Sequence, residues 1–186
     1  MENPGFTIWI TGLSGSGKTT IALALQEHLR SLGRRVEVLD GDTVRSVLSP
    51  DLGFSRPDRD ANVRRVAWVC ELLSRNGIIA IAALISPYRD VRDEARRRIG
   101  RFVEVHMDAP LETLQQRDVK GLYRRASRGE LGQFTGLDDP YEPPLDPDVL
   151  VISDGREAPS TSVKRIIAAA ARLGYIENPR VRDAGS

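Results

Sequence analysis

The sequence has one cysteine, Cys70, in 186 residues, so no internal disulfide can form and a reducing compartment fits. That thiol lies in RRVAWVCELL, where Val66, Val69, Cys70 and Leu73 share a helical stripe, and it is expected to be buried and inert. Net charge is also missing: 27 Lys and Arg face 26 Asp and Glu. This balance argues against a surface committed to nucleic acid or to an anionic membrane. The longest apolar run, IIAIAALI (Ile78 to Ile85), is too short to span a bilayer. The N-terminal MENPGFTIWITG lacks a basic region followed by a long apolar run, so no signal peptide is expected and a cytoplasmic protein is. Two histidines, His28 and His106, stand apart without metal-ligand spacing. Internal repeats and low-complexity segments are absent.

What is present suits one domain with a real core: 40% hydrophobic and 28% charged residues. Short β-rich apolar runs alternate with helical patterns. FTIWIT (Phe6 to Thr11), VEVLD (Val36 to Asp40), IIAIAALI, RFVEVHMD (Arg101 to Asp108) and DVLVIS (Asp148 to Ser153) read as strands. Helices are expected at about 18–32, 59–76, 88–98, 110–118 and 160–173, the last closed by Gly174. Strand alternating with helix predicts an α/β fold with a mostly parallel central sheet covered on both faces. The run at Arg96 to Arg98 is expected to be a solvated helix face, and Trp68 serves either an interface or the core.

Between the first strand and helix lies GLSGSGKT, Gly12 to Thr19, which matches G-x-x-x-x-G-K-[ST]. Glycines let the backbone curl so that N–H groups point at phosphate oxygens, and the helix N-terminus adds partial positive charge. Lys18 is placed for the β- and γ-phosphates and Thr19 for Mg²⁺. The motif indicates a nucleoside triphosphate without naming the reaction. A hydrolytic switch and a small kinase both remain open, although the guanine-reading Asn-Lys-x-Asp is absent.

Three further clusters favour the kinase. In DGDTVR, Asp40 and Asp42 follow the second strand, with Arg45 one helical turn on. One carboxylate suits Mg²⁺ and the other a proton from an attacking hydroxyl, although Asp42 also reads as a helix N-cap. In LGFSRPDRDANVRR, Phe54 with Arg59 and Asn62 suits a stacked base and an anion or amide edge; the alternative is a hydrophobic staple, with Arg64 and Arg65 solvated. In ISPYRDVR, Ser86 reads as an N-cap with Pro87 as the first helical residue.

Taken in order, GLSGSGKTT, DGDTVR, LGFSRPDRDANVRR, ISPYR, RDVKGLYRRA and FTGLDDPYEPP closely resemble the adenylylsulfate kinase family, over about Gly12 to Leu150. The resemblance implies a P-loop kinase-type three-layer sandwich with a mobile lid. It also implies transfer of the γ-phosphoryl of ATP to the 3′-hydroxyl of adenylyl sulfate, with Mg²⁺. Gly12, Leu13, Ser14, Gly15, Ser16, Gly17, Lys18, Thr19 and Thr20 would bind ATP, with Arg117 facing its adenine. Asp42, Arg45, Phe54, Arg59, Asn62, Ile85, Ser86, Lys120, Phe134 and Thr135 would line the adenylyl sulfate pocket. Ser86 falls at the family's position for a phosphoserine intermediate; Lys18, Asp42 and Ser86 are the catalytic candidates, and Thr19 and Asp40 those for the metal. A homodimer and a functional partner, sulfate adenylyltransferase, are implied as well. Thr43 stands where Asn is common, and no distinctive motif follows Val151.

The segment KGLYRRASRGELGQFTG, Lys120 to Gly136, has no clean period and holds four glycines. Within about residues 118–145 it is expected to form a lid that closes over both nucleotides and excludes water. Arg124, Arg125 and Arg128 are expected to be solvated lid charges. Another small-molecule kinase and a nucleotide-binding regulator remain as alternatives.

Overall fold

The computed structural model describes residues 4–118, 121–130, 134–137 and 139–177. Five strands form its frame: β1 (Thr7–Thr11), β2 (Val36–Asp40), β3 (Ile79–Ala83), β4 (Phe102–Asp108) and β5 (Val149–Ile152). They lie in the order β2-β3-β1-β4-β5, and every pairing is parallel. The helices are α1 (Lys18–Ser31), α2 (Gly41–Val47), α3 (Arg56–Arg75), α4 (Arg89–Ile99), α5 (Leu111–Arg117), α6 (Leu122–Ser127) and α7 (Pro159–Arg172).

Period-2 alternation sorts the strand side chains into two cores. Ile8, Ile10, Ile81, Val103 and Val105 pack with Leu25 and Leu29 of α1 and Ile166 of α7. Trp9, Ala80, Ala82 and Phe102 point the other way, onto Val63, Val66 and Cys70 of α3 and Val91 and Ala95 of α4. The small alanines of β3 leave room for Trp9, whose ring stacks on Phe102 at 5.7 Å. Burial of each large side chain contributes roughly 1.5–3 kcal/mol. The result is the expected three-layer α/β sandwich. The Cys70 thiol is fully buried, and that burial pushes its pKa up to about 12. No helix among the described residues is long and apolar enough to cross a membrane.

Two helix caps differ from expectation. Asp40, not Asp42, is the N-cap of α2: its backbone is extended and its carboxylate accepts from Asp42 N at 3.2 Å. Ser86 is not the cap of α4, which begins at Arg89 after a Tyr88 that makes no side-chain cap bond. Ser86 instead has φ +39, a left-handed value uncommon outside glycine, and its Oγ accepts from Trp9 Nε1 at 3.1 Å. The missing cap comes from far along the chain, where Glu142 Oε2 accepts from Arg89 N at 2.9 Å.

The arginine run is not simply solvated. Arg96 donates to Asp148 at 2.9 Å and lies 3.4 Å from Glu104, tying α4 to the sheet, and Arg98 pairs with Glu71. Trp68 stands half exposed on α3. The segment without a clean period contains a short helix, α6, whose first-turn N–H groups of Tyr123 and Arg124 are accepted by Asp118.

Candidate active site

Parallel strands deliver their carboxyl ends to one edge, and every predicted cluster within the described residues follows a strand end or packs beside it. After β1 the chain enters the phosphate loop. Gly12 has φ +151, and a Cβ there would lie 2.6 Å from Met107 O and 2.9 Å from Ser16 Oγ, so only glycine fits. Gly17 caps α1 without a side-chain bond, which leaves the first-turn N–H groups directed outward. Lys18 Nζ lies back across the loop, donating to Gly12 O at 2.9 Å and Leu13 O at 2.7 Å. Thr19 Oγ1 donates to Asp40 Oδ1 at 2.6 Å, so the loop after β1 is joined to the turn after β2. Thr20 is exposed in the first turn of α1. Asp42 stands exposed at the start of α2, two residues from that junction.

Arg45 and Arg59 converge on Phe54, with guanidinium centres 5.0 and 5.5 Å from the ring. Phe54 is 57% exposed. It immediately precedes Ser55, the N-cap of α3, whose side chain is bonded reciprocally with Asp58. Arg59 stands four residues beyond that cap, so the staple contact exists as cation–π rather than apolar packing. Arg59 Nε also donates to Phe54 O at 2.8 Å and pairs with Asp139 at 3.3 Å. Desolvation lowers the pKa of both guanidiniums, and at Arg45 the neighbouring Arg59 charge lowers it further.

The segment containing Phe134 and Thr135 is brought onto this edge from two sides. Thr135 bridges to Asp139, and Gly136 approaches the phosphate loop so closely that a Cβ would lie 2.8 Å from Leu13 Cδ2. Tyr123 of α6 donates its hydroxyl to Ser14 O at 2.9 Å and meets Phe134 edge-on at 5.0 Å. Its burial pushes the phenol up to about 12, so it remains a donor at neutral pH. Ile85 O accepts from Thr11 Oγ1 at 2.6 Å in the loop after β3. Arg117 Nη1 donates to Ser153 Oγ at 3.1 Å. Lys120 lies outside the described residues.

Seven buried side-chain polar atoms among the described residues have no hydrogen-bond partner. Four of them belong to this edge: the oxygens of Ser16, Asn62 and Thr135, which have no ion-pair partner either, and Asp139 Oδ2, which faces Arg59 Nε at 3.3 Å. Such atoms are rare in folded proteins and each calls for a partner. The structure therefore brings together Gly12–Thr20, Asp40, Asp42, Arg45, Phe54, Arg59, Asn62, Thr135 and Phe134, with Ile85 and Ser86 on the neighbouring strand end. Sequence reasoning missed Tyr123, Ser153 and Asp139. Of these only Tyr123 carried a local signal, an aromatic inside a cationic, glycine-flanked stretch.

The family model described as adenylylsulphate kinase matches residues 4–152. A protein from Rippkaea orientalis named adenylyl-sulfate kinase is 54% identical over 179 residues, 96% of this chain and 98% of that protein. One of the same name from Picosynechococcus is 52% identical over 176 residues, 95% of this chain and 99% of its own. Among solved structures, the Mycobacterium tuberculosis APS kinase CysC in complex with AMPPNP and APS superposes with a TM-score of 0.85 at 39% identity, covering 89% of this chain and 97% of that one. With the phosphate loop, its paired carboxylates and the arginine-flanked Phe54 on one strand edge, and relatives that align almost end to end, this chain belongs to the adenylylsulphate kinase family.

Proposed function

We propose a division of labour within this site for the reaction of the family. The chain is a phosphotransferase that moves the γ-phosphoryl of ATP to the 3′-hydroxyl of adenylyl sulfate, giving ADP and 3′-phosphoadenylyl sulfate. Gly12 to Thr20 hold the triphosphate, and Lys18 exchanges the Gly12 and Leu13 carbonyls for phosphate oxygens. Arg117, oriented by Ser153, faces the ATP adenine. Thr19 Oγ1 and Asp40 Oδ1 are adjacent hard oxygen donors, a set that fits Mg²⁺ shared with phosphates and water. When bound, that ion offsets charge on the transferring phosphoryl group.

On the acceptor side, Phe54 and Phe134 supply stacking faces for the adenylyl base. Arg45, Arg59, Asn62, Ile85, Ser86 and Thr135 line the pocket, and Lys120 serves the phosphosulfate end. Asp42 orients or deprotonates the 3′-hydroxyl for in-line attack. Ser86 shapes the floor and carries no phosphoryl group: it is 3% exposed, and its Oγ is engaged as the acceptor of the Trp9 N–H. Residues of about 118–145 act as a lid that keeps water from the phosphoryl group. A homodimer, a reducing cytoplasmic setting suited to the lone thiol, and a sulfate adenylyltransferase supplying the acceptor complete the reading. Half-exposed Trp68 is a candidate dimer contact, and molar mass by light scattering tests it.

The observation that carries the acceptor assignment is the pair of buried, unpartnered oxygens on Asn62 and Thr135, from two distant segments beside an exposed Phe54. A coupled assay for ADP, run with and without adenylyl sulfate, tests it. ADP release only with the acceptor is expected. Equal release without it would identify a hydrolase, and none in either case a nucleotide-binding regulator.

A further inference from the structure

One buried cation has no part in the donor or acceptor contacts above. Arg92 of α4 is 2% exposed, and each nitrogen of its guanidinium has a partner. Nε donates to Glu104 Oε1 at 3.1 Å, which balances its charge. Nη1 donates to Ser86 O and Nη2 to Glu142 O, both at 2.6 Å. Those two carbonyls belong to separate segments. Ser86 lies in the loop after β3, whereas Glu142 lies where the chain leaves the proposed lid.

Other bonds join the same two segments. Glu142 N donates to Pro87 O at 2.8 Å. Arg89 N donates to Glu142 Oε2 at 2.9 Å, and Arg89 Nε to Pro143 O at 2.7 Å. Thr11 Oγ1 reaches Ile85 O on one side and Tyr141 Oη on the other, at 2.6 and 3.1 Å. The left-handed backbone at Ser86 is a sparsely populated conformation that persists only where its surroundings over-determine it. Arg92 holds its carbonyl and Trp9 holds its hydroxyl.

We propose that Arg92 is a positioning residue that locks Ile85–Pro87 to Tyr141–Pro143, so that the floor of the acceptor pocket and the root of the lid form one body. The proposal rests on the acceptor reading given above. An arginine is required because its planar fork can hold two diverging carbonyls while its third nitrogen meets a carboxylate. A lysine keeps the charge opposite Glu104 but cannot reproduce that fork.

The test is Arg92→Lys, read by amide hydrogen exchange and by the Michaelis constants of both nucleotides. Exchange at Arg89 and Glu142 is expected to quicken by about tenfold or more, with α1 unchanged. The acceptor KM should rise about tenfold while that of ATP stays within about twofold. Glu142→Ala removes the Arg89 cap but leaves every Arg92 bond, since Arg92 binds the backbone carbonyl at 142, so it should quicken exchange at Arg89 alone. Arg92→Gln, which removes the fork while Glu104 keeps Arg96 as a partner, serves if Arg92→Lys does not fold. Unchanged exchange at Arg89 and Glu142 in a folded variant overturns the lock. Faster exchange with both KM values raised alike overturns the positioning role and leaves only a structural one. Phe54→Ala run in parallel separates the two readings. If it leaves the acceptor KM untouched, the pocket assignment fails, while quickened exchange in Arg92→Lys still supports the lock.

Discussion

Gly12 to Thr20 occupy one uninterrupted stretch from the end of β1 into the first turn of α1, whereas the proposed acceptor contacts come from α2, the start of α3, the loop after β3 and the segment around Phe134. The donor half is set by local backbone geometry: a curled loop, a glycine no other residue can replace, and a helix start. The acceptor half exists only because tertiary contacts gather it. Arg59–Asp139, Tyr123–Ser14 and Arg92–Glu142 each join segments far apart in the chain. Donor binding should therefore survive most distant changes, and acceptor binding should not.

The largest expected break comes at the junction of the halves. Asp42→Asn should lower turnover by ~10²–10⁴, with ATP-analogue affinity retained in a direct binding measurement. Near-normal turnover would remove Asp42 from the base or orienting role. Next, Asn62→Leu, close in volume, removes the unpartnered oxygen. A rise of about 1–3 kcal/mol in acceptor binding free energy is expected, seen calorimetrically, with ATP unaffected.

Smaller effects sharpen the comparison. Tyr123→Phe deletes one hydroxyl bond to the phosphate loop but keeps the edge-on contact with Phe134. It should weaken closure by about 0.5–1.5 kcal/mol and raise ADP release in the absence of acceptor. Ser86→Ala leaves Trp9 Nε1 without its acceptor and is expected to lower stability by about 1–3 kcal/mol, while turnover falls less than tenfold. Complete inactivity of the folded variant would restore the covalent role. Last, Cys70 should resist alkylation at neutral pH until the chain unfolds. Its folded-state pKa is raised to about 12, above its unfolded value. Any stability linked to this thiol is therefore complete below the unfolded pKa and is lost as pH climbs toward the folded one.

Strand and helix order was legible because apolar runs and helical stripes obey simple periods, and the phosphate loop because its geometry is local. Helix caps were not. Asp40 and Asp42 are two residues apart and of one chemistry, so only the backbone shows which carboxylate bonds the first turn. Ser86 followed by Pro87 has the composition of a cap, but the loop turns left-handed and a glutamate 56 residues later caps the helix instead. Arg96 looked solvated because its partners, Glu104 on β4 and Asp148 just before β5, lie on the sheet and not on its own helix. The motif residues of the acceptor pocket could be named from their resemblance to a family, yet the contacts that assemble them left no periodic trace.

The separation of the two halves is tested most directly by steady-state kinetics of Phe54→Ala, varying each nucleotide in turn. Loss of one stacking face should raise the KM for adenylyl sulfate by about tenfold or more and leave that for ATP within about twofold. Equal rises in both, or a rise for ATP alone, would contradict the account.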